Sequence, residues 1–152
     1  MWRKNSTSGS ERTMTHAADT DKEKQPAHTN VDENKKTIII YSPDLNFCFS
    51  LSMVFQDRYN VMTTTNMGML EKFVSIYSAD LVIVDAVPTE NLIARIEGLK
   101  ASKQDLPIII LYVYTPKDVT LDRAIREHVD SVFYKPFEIS AVSKRIDELL
   151  SV

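Results

Sequence analysis

Only three glycines occur in the 152 residues, Gly9, Gly68 and Gly98, so neither of the Gly-rich loops that cradle nucleotide phosphates can be built. That removes two large enzyme classes. The single cysteine, Cys48, excludes an internal disulfide and any CxxC-type zinc or redox site. No histidine follows it at a suggestive spacing, so it is expected to be a small half-buried side chain of a helix rather than a nucleophile. No run of 18 apolar residues exists and the N-terminus carries no apolar leader core, so neither a membrane span nor export is expected. A soluble, cytoplasmic protein is. Positive charge is also short: the net charge is −3, and residues 37–152 hold eleven Lys and Arg against fifteen Asp and Glu. A phosphate backbone demands a basic surface, so direct nucleic-acid binding is not expected.

What is present divides into two parts. Residues 1–36 carry almost no apolar content and no periodicity, cannot bury enough surface to offset the entropy of ordering, and are expected to be a disordered tail. Trp2, His16 and His28 fall in it as solvated side chains. From residue 37 onward apolar runs alternate with helical patterns, as expected for one domain. The strands are expected at 37–41, 60–65, 81–85, 106–113 and 130–134. A first helix follows Asp44 and carries Phe47, Leu51, Val54 and Phe55 inward. The second spans 66–78 with Asn66 as its cap, burying Met69, Leu70, Phe73, Val74 and Tyr77. A third spans 89–100 with Thr89 at the cap and Leu92, Ile93, Ile96 and Leu99 inward. Thr115, Pro116 and Asp118 form a capping box for a fourth helix running to about His128. The last spans 138–150 with Val142, Ile146, Leu149 and Leu150 inward. Met53, Met62, Met67 and Met69 are expected to fill the core and its edges, and His128 to sit against a helix dipole.

The middle strands are apolar without alternation, as when both sheet faces are covered. Right-handed crossovers then give an α/β fold, a five-stranded parallel doubly wound sheet of order 2-1-3-4-5 in a three-layer sandwich with five helices. In such a sheet ligands collect outside the carboxyl ends of the strands where the order reverses. Asp85 ends the third strand there. Tyr41, Ser42, Pro43 and Asp44 after the first strand, Tyr112, Tyr114 and Thr115 after the fourth, and Lys135 with Pro136 after the fifth converge on it.

With "LVIVDAVP" (81–88) and "FYKPFEISAVSKRIDELL" (133–150), residues 37–152 resemble the receiver domain of bacterial response regulators, of the flavodoxin-like CheY superfamily. The resemblance implies that Asp85 is a phospho-acceptor for a histidine kinase, that Lys135 pairs with the phosphoryl group, and that the Lys135–Pro136 bond is cis. The family holds Mg²⁺ with two adjacent carboxylates after strand one, because a small hard cation wants oxygen ligands in octahedral array. Here Ser42 and Pro43 stand there. Asp44, one residue on, offers at most a weak Mg²⁺ site with Asp85 by a register shift, and is better explained as a helix cap. The family's switch hydroxyl falls at Tyr112, whose ring is expected to take up phosphoryl space. The switch aromatic falls at Val132, with Phe133 and Tyr134 expected to point elsewhere. The loop after Asp85 is shortened as well, with Pro88 three residues on and no glycine before Gly98.

These departures favour an atypical, or pseudo-, receiver: no enzyme and no cofactor, an interaction module in which Asp85 is phosphorylated weakly or not at all and forms an ion pair with Lys135. Its partner face is expected to be the fourth helix, fifth strand and fifth helix, where Lys117, Asp122, Arg123, Arg126, Lys144 and Asp147 set specificity by charge, with homodimer formation also open. The alternative is a working receiver that uses Mg²⁺ and is phosphorylated on Asp85. A flavodoxin-like small-molecule protein is a third reading, opposed by the absence of a phosphate loop in "YSPDLN" (41–46). The chain ends two residues after its last expected helix, which suits either a stand-alone module with a long N-terminal arm or a piece of a larger regulator.

Overall fold

Alternation along the strands decides the layering. In a computed structural model of the chain, which describes residues 31–151, Ile38, Ile40, Leu81, Ile83, Ile109 and Leu111 face one side of the sheet. Ile39, Tyr41, Val82, Val84, Ile108, Ile110 and Tyr112 face the other. Both sides are fully covered, which is why these strands carry no polar alternation. Of the tail expected over residues 1–36, residues 1–30, with Trp2, His16 and His28, lie outside the described residues. Glu33 onward forms one compact unit.

The strands are β1 (Thr37–Tyr41), β2 (Asn60–Thr64), β3 (Leu81–Asp85), β4 (Ile108–Tyr112) and β5 (Ser131–Tyr134). All pair in parallel, in the order β2-β1-β3-β4-β5. The helices are α1 (Leu45–Phe55), α2 (Leu70–Ile76), α3 (Glu90–Ser102), α4 (Val119–Arg126) and α5 (Ile139–Leu150). Leu51 and Phe55 of α1 pack with Val142 and Ile146 of α5 on one face. Leu70 and Val74 of α2, Leu92, Ile96 and Leu99 of α3 and Ile125 of α4 pack on the other. The expected three-layer sandwich is therefore present.

Several boundaries shift for local reasons. Asn66 caps a 3-10 turn, Met67–Met69, by accepting from the Gly68 amide, and α2 starts only after it. The Thr115/Asp118 capping box likewise closes a 3-10 turn, Pro116–Asp118, that leads into α4. Thr89 caps α3 as expected, accepting from the Leu92 amide. The inward face of α1 differs from expectation. Cys48, Leu51 and Phe55 are its buried residues, while Met53 and Val54 are exposed. A helical residue turns about 100° from its neighbour, so once Leu51 and Phe55 face the sheet, Met53 points almost opposite and Val54 sideways.

Candidate functional site

The side chain of Asp85 leaves the end of β3 on the α1/α5 face, since residues 81, 83 and 85 share a face. It is buried, and both carboxylate oxygens are engaged. Ser42, the residue after β1, is fully buried and donates from its Oγ to Asp85 Oδ2 at 2.7 Å. Lys135 Nζ lies 2.6 Å from Asp85 Oδ1, and the ammonium also sits 4.5 Å from the centre of the Phe47 ring on α1. The Lys135–Pro136 peptide bond is cis. Three strand ends and one helix therefore meet at a single carboxylate.

The surrounding crevice, about 380 Å³, is lined by Pro43, Asp44, Phe47, Ala86, Val87, Val113 and Lys135. Asp44 does not turn into it as a ligand. Its carboxylate accepts from the amides of Asn46 and Phe47 and caps α1, and its own amide donates to Ser42 Oγ. Pro43 brings neither charge nor donor. Among the described residues no group of three or more His, Cys, Asp or Glu side chains gathers as a metal site. The Mg²⁺ that the family resemblance implies is not fitted by this donor set: a hard cation needs several free oxygens, and Asp85 alone remains, already held on both sides.

Tyr112 also borders the crevice, yet its ring does not fill the space over Asp85. Alternation sends it to the opposite sheet face, with Leu111 registered beside Asp85. Its hydroxyl donates to Asp122 Oδ1 on α4. The expectation for Tyr134 needs correction for the same reason. Residues two apart share a face, so Tyr134 lies on the side of Val132 and pairs with Tyr112, while Phe133 joins the α1/α5 core. The Tyr134 hydroxyl donates to Asp122 Oδ1 at 2.9 Å and accepts from Arg126 at 2.8 Å. Arg126 Nε donates to Asp122 Oδ2 at 2.9 Å. Tyr134 stacks edge-on against Tyr112 at 5.5 Å, and Tyr114 lies 5.0 Å from Tyr134.

Asp122 is thus buried rather than part of an exposed charged face. Burial would raise its carboxyl, but bonds from Tyr112, Arg126 and Tyr134 and the nearby guanidinium together bring it below the usual carboxylate range. Burial, followed by that same carboxylate, drives the Tyr112 phenol well above its ordinary range. Asp147 stays half-exposed but is turned toward α1. It accepts from Tyr59 at 2.6 Å and from Arg58, tying α5 to the end of α1. Lys117, Arg123, Arg126 and Lys144 remain exposed. The signal for this network was available as the Asp122–Arg126 spacing of four on α4 and the period of two along β5.

Cys48 is more buried than expected, its thiol directed at the carbonyls of Ser42 and Thr64, and burial raises its pKa. It is not a poised nucleophile. His128 lies 3.6 Å from Glu97 Oε2 of α3, just beyond the end of α4.

No protein-family model matches the chain, and no curated protein sequence does. Solved structures do. The signal receiver domain of a signal transduction histidine kinase from Syntrophus aciditrophicus superposes with a TM-score of 0.66 at 23% identity, covering 76% of this chain and 90% of that one. Chemotaxis protein CheY4 of Vibrio cholerae gives 0.64 at 17% identity, covering 76% and 99%. A protein of Burkholderia pseudomallei described as related to pilus assembly gives 0.64 at 20% identity, covering 79% and 92%. Sheet order, helix placement and these superpositions agree that the chain has the fold of the response-regulator receiver domain.

Proposed function

We infer that the chain is an atypical receiver domain of a two-component-type signalling protein, acting as a protein-interaction module with phosphorylation at Asp85 weak or absent. The observation that carries this is the donor set around Asp85. Ser42 Oγ at 2.7 Å and Lys135 Nζ at 2.6 Å hold the carboxylate, but among the described residues no second carboxylate is turned toward it to seat the cation that would screen an incoming phosphate. With Pro43 neutral and Asp44 spent on its cap, the approach of a phosphoryl group sets negative charge against negative charge with one lysine to offset it.

The partner face assigned to this module is α4, β5 and α5. The Asp122 network supports a face held in one arrangement, because it bolts α4 to the ends of β4 and β5 without reference to Asp85. Arg123, Arg126 and Lys117 at its surface give it a basic rim, and Tyr134 an aromatic centre of the kind that dominates binding energy. Incubation of the chain with Mg²⁺ and acetyl phosphate or beryllofluoride, read by intact mass and by amide shifts, tests the inference. We expect no stable adduct and no shift in the α4–β5 amides. A stable adduct at Asp85 that disappears in Asp85→Ala refutes it in favour of a working phospho-acceptor.

A further inference from the structure

The charges of α4 and the turn that leads into it are sorted by sign. Between Pro116 and Arg126 the two carboxylates, Asp118 and Asp122, are 7% and 8% exposed, and both are engaged inside the fold. Asp118 accepts from the amide and hydroxyl of Thr115, and Asp122 from Tyr112, Tyr134 and Arg126. The three cations of the same stretch, Lys117, Arg123 and Arg126, all face outward. Arg126 uses Nε and Nη2 in the Asp122 network and leaves Nη1 outside it. Among the described residues no ion pair involves Lys117 or Arg123. The other charged helices mix their signs at the surface, and Arg95 and Arg145 are paired with Glu71 and Glu148. The next outward carboxylate, Glu127, comes only past the last residue of α4. Val119, Arg123 and Arg126 stand four and three residues apart and so form one stripe along the helix. Val119 is 45% exposed. The Arg126 guanidinium lies 5.5 Å over the Tyr134 ring, which brings that 38% exposed tyrosine into the same surface.

We propose that this stripe docks an acidic segment of a partner protein, one that presents two or three carboxylates around an apolar side chain. The proposal rests on the reading of α4, β5 and α5 as the partner face and names the chemistry of what binds there. The sorting of charge sets the sign. A partner's carboxylates meet three outward cations and no outward carboxylate between Pro116 and Arg126, an arrangement that speeds encounter with an acidic partner and repels a basic one. Arg123 and Arg126 offer planar forks that match carboxylate oxygens. Rim charges contribute little singly, so an apolar anchor is needed as well, and Val119 with Tyr134 supplies the surface it covers. A nucleic acid has the same sign but fits less well. Residues 37–152 carry eleven Lys and Arg against fifteen Asp and Glu, so a long phosphate backbone would run from the stripe onto a surface that repels it. A short peptide segment does not extend that far.

Titration of the isotope-labelled full chain with a peptide of about 12 residues, glutamates flanking a central Leu-Trp pair, tests it by amide shifts. The amides from Lys117 to Arg126 and that of Tyr134 should shift with a Kd on the order of 100 μM at low salt, weakening at least about fivefold between about 50 and 300 mM NaCl. Arg123→Glu and Lys117→Glu should each weaken binding at least about fivefold while thermal melts stay unchanged, since neither side chain pairs with another. Lys72→Glu on α2, an equal change in net charge, should leave binding as it is. Glutamines in place of the glutamates should abolish the shifts. No shift at about 2 mM peptide, shifts that map to another face, or binding indifferent to both α4 substitutions overturns the proposal. A glutamine peptide that shifts these amides equally keeps the face as a docking surface and overturns the acidic partner alone. A single-stranded oligonucleotide that binds the stripe more tightly than the peptide overturns it in favour of phosphate.

Discussion

Replacing Asp122 by alanine should destabilise the domain by about 2–4 kcal/mol, an unusually large effect for a residue on a surface helix. The magnitude follows from what would be left behind. The Tyr112 side chain is almost wholly buried and its hydroxyl donates to Asp122, so alanine strands a buried donor at a cost of about 1–3 kcal/mol. Arg126 is 46% exposed and recovers hydration, so its lost ion pair adds at most about 1 kcal/mol. Tyr134 is exposed enough to bond water and adds little. For a domain of this size such a loss lowers Tm by roughly 10 °C. Urea denaturation followed by far-UV circular dichroism measures it, provided the slope with denaturant is unchanged. Tyr112→Phe alone should cost about 1 kcal/mol, but in the Asp122→Ala background it should recover about 1 kcal/mol by removing the stranded hydroxyl. A loss below about 0.5 kcal/mol for Asp122→Ala, or no coupling between the two substitutions, would refute the network as a source of stability.

The same carboxyl titrates below its ordinary range when folded, so its contribution is present above about pH 4 and should fade as pH falls below that value; acid melts of the wild type and Asp122→Asn compare it. Burial and the bond to Asp147 push the Tyr59 phenol up to about 12. An unfolded tyrosine loses its proton near pH 10, so folding stability should drop as pH rises between about 10 and 12, and spectrophotometric titration should find Tyr59 and Tyr112 still protonated at pH 10. Gly98 lies within α3 with open space where a Cβ would stand; Gly98→Ala should stabilise by about 0.5–1 kcal/mol in thermal melts. Ser42→Ala should cost about 1–2 kcal/mol by leaving one oxygen of the buried Asp85 without its donor, and a denaturant series showing no loss would remove Ser42 from the site.

Most of the fold was legible because it rests on short-range physics. Unalternating runs such as 81–84 require a sheet covered on both faces, and Asp44, Thr89 and Thr115 mark helix starts by side-chain capping. The convergence of Ser42, Asp85 and Lys135 was legible as well, since parallel topology sends all the strand ends to one side. Facing was harder. Val54 and Met53 are apolar but point outward, because each residue turns about 100° from the last and Leu51 and Phe55 take the side of α1 that faces the sheet.

By itself the sequence determined the elements, the sheet order and the absence of a carboxylate pair beside Asp85, since each is written in residue type and spacing. Only the tertiary structure decided what the polar groups do. Ser42 is a donor to Asp85 instead of an empty position, Asp122 is a buried acceptor rather than a surface charge, and Tyr134 lies beside Tyr112. These pairings join residues from separate elements, and hydrogen bonds a few ångströms long depend on where packed layers bring atoms, which no periodicity along the chain encodes.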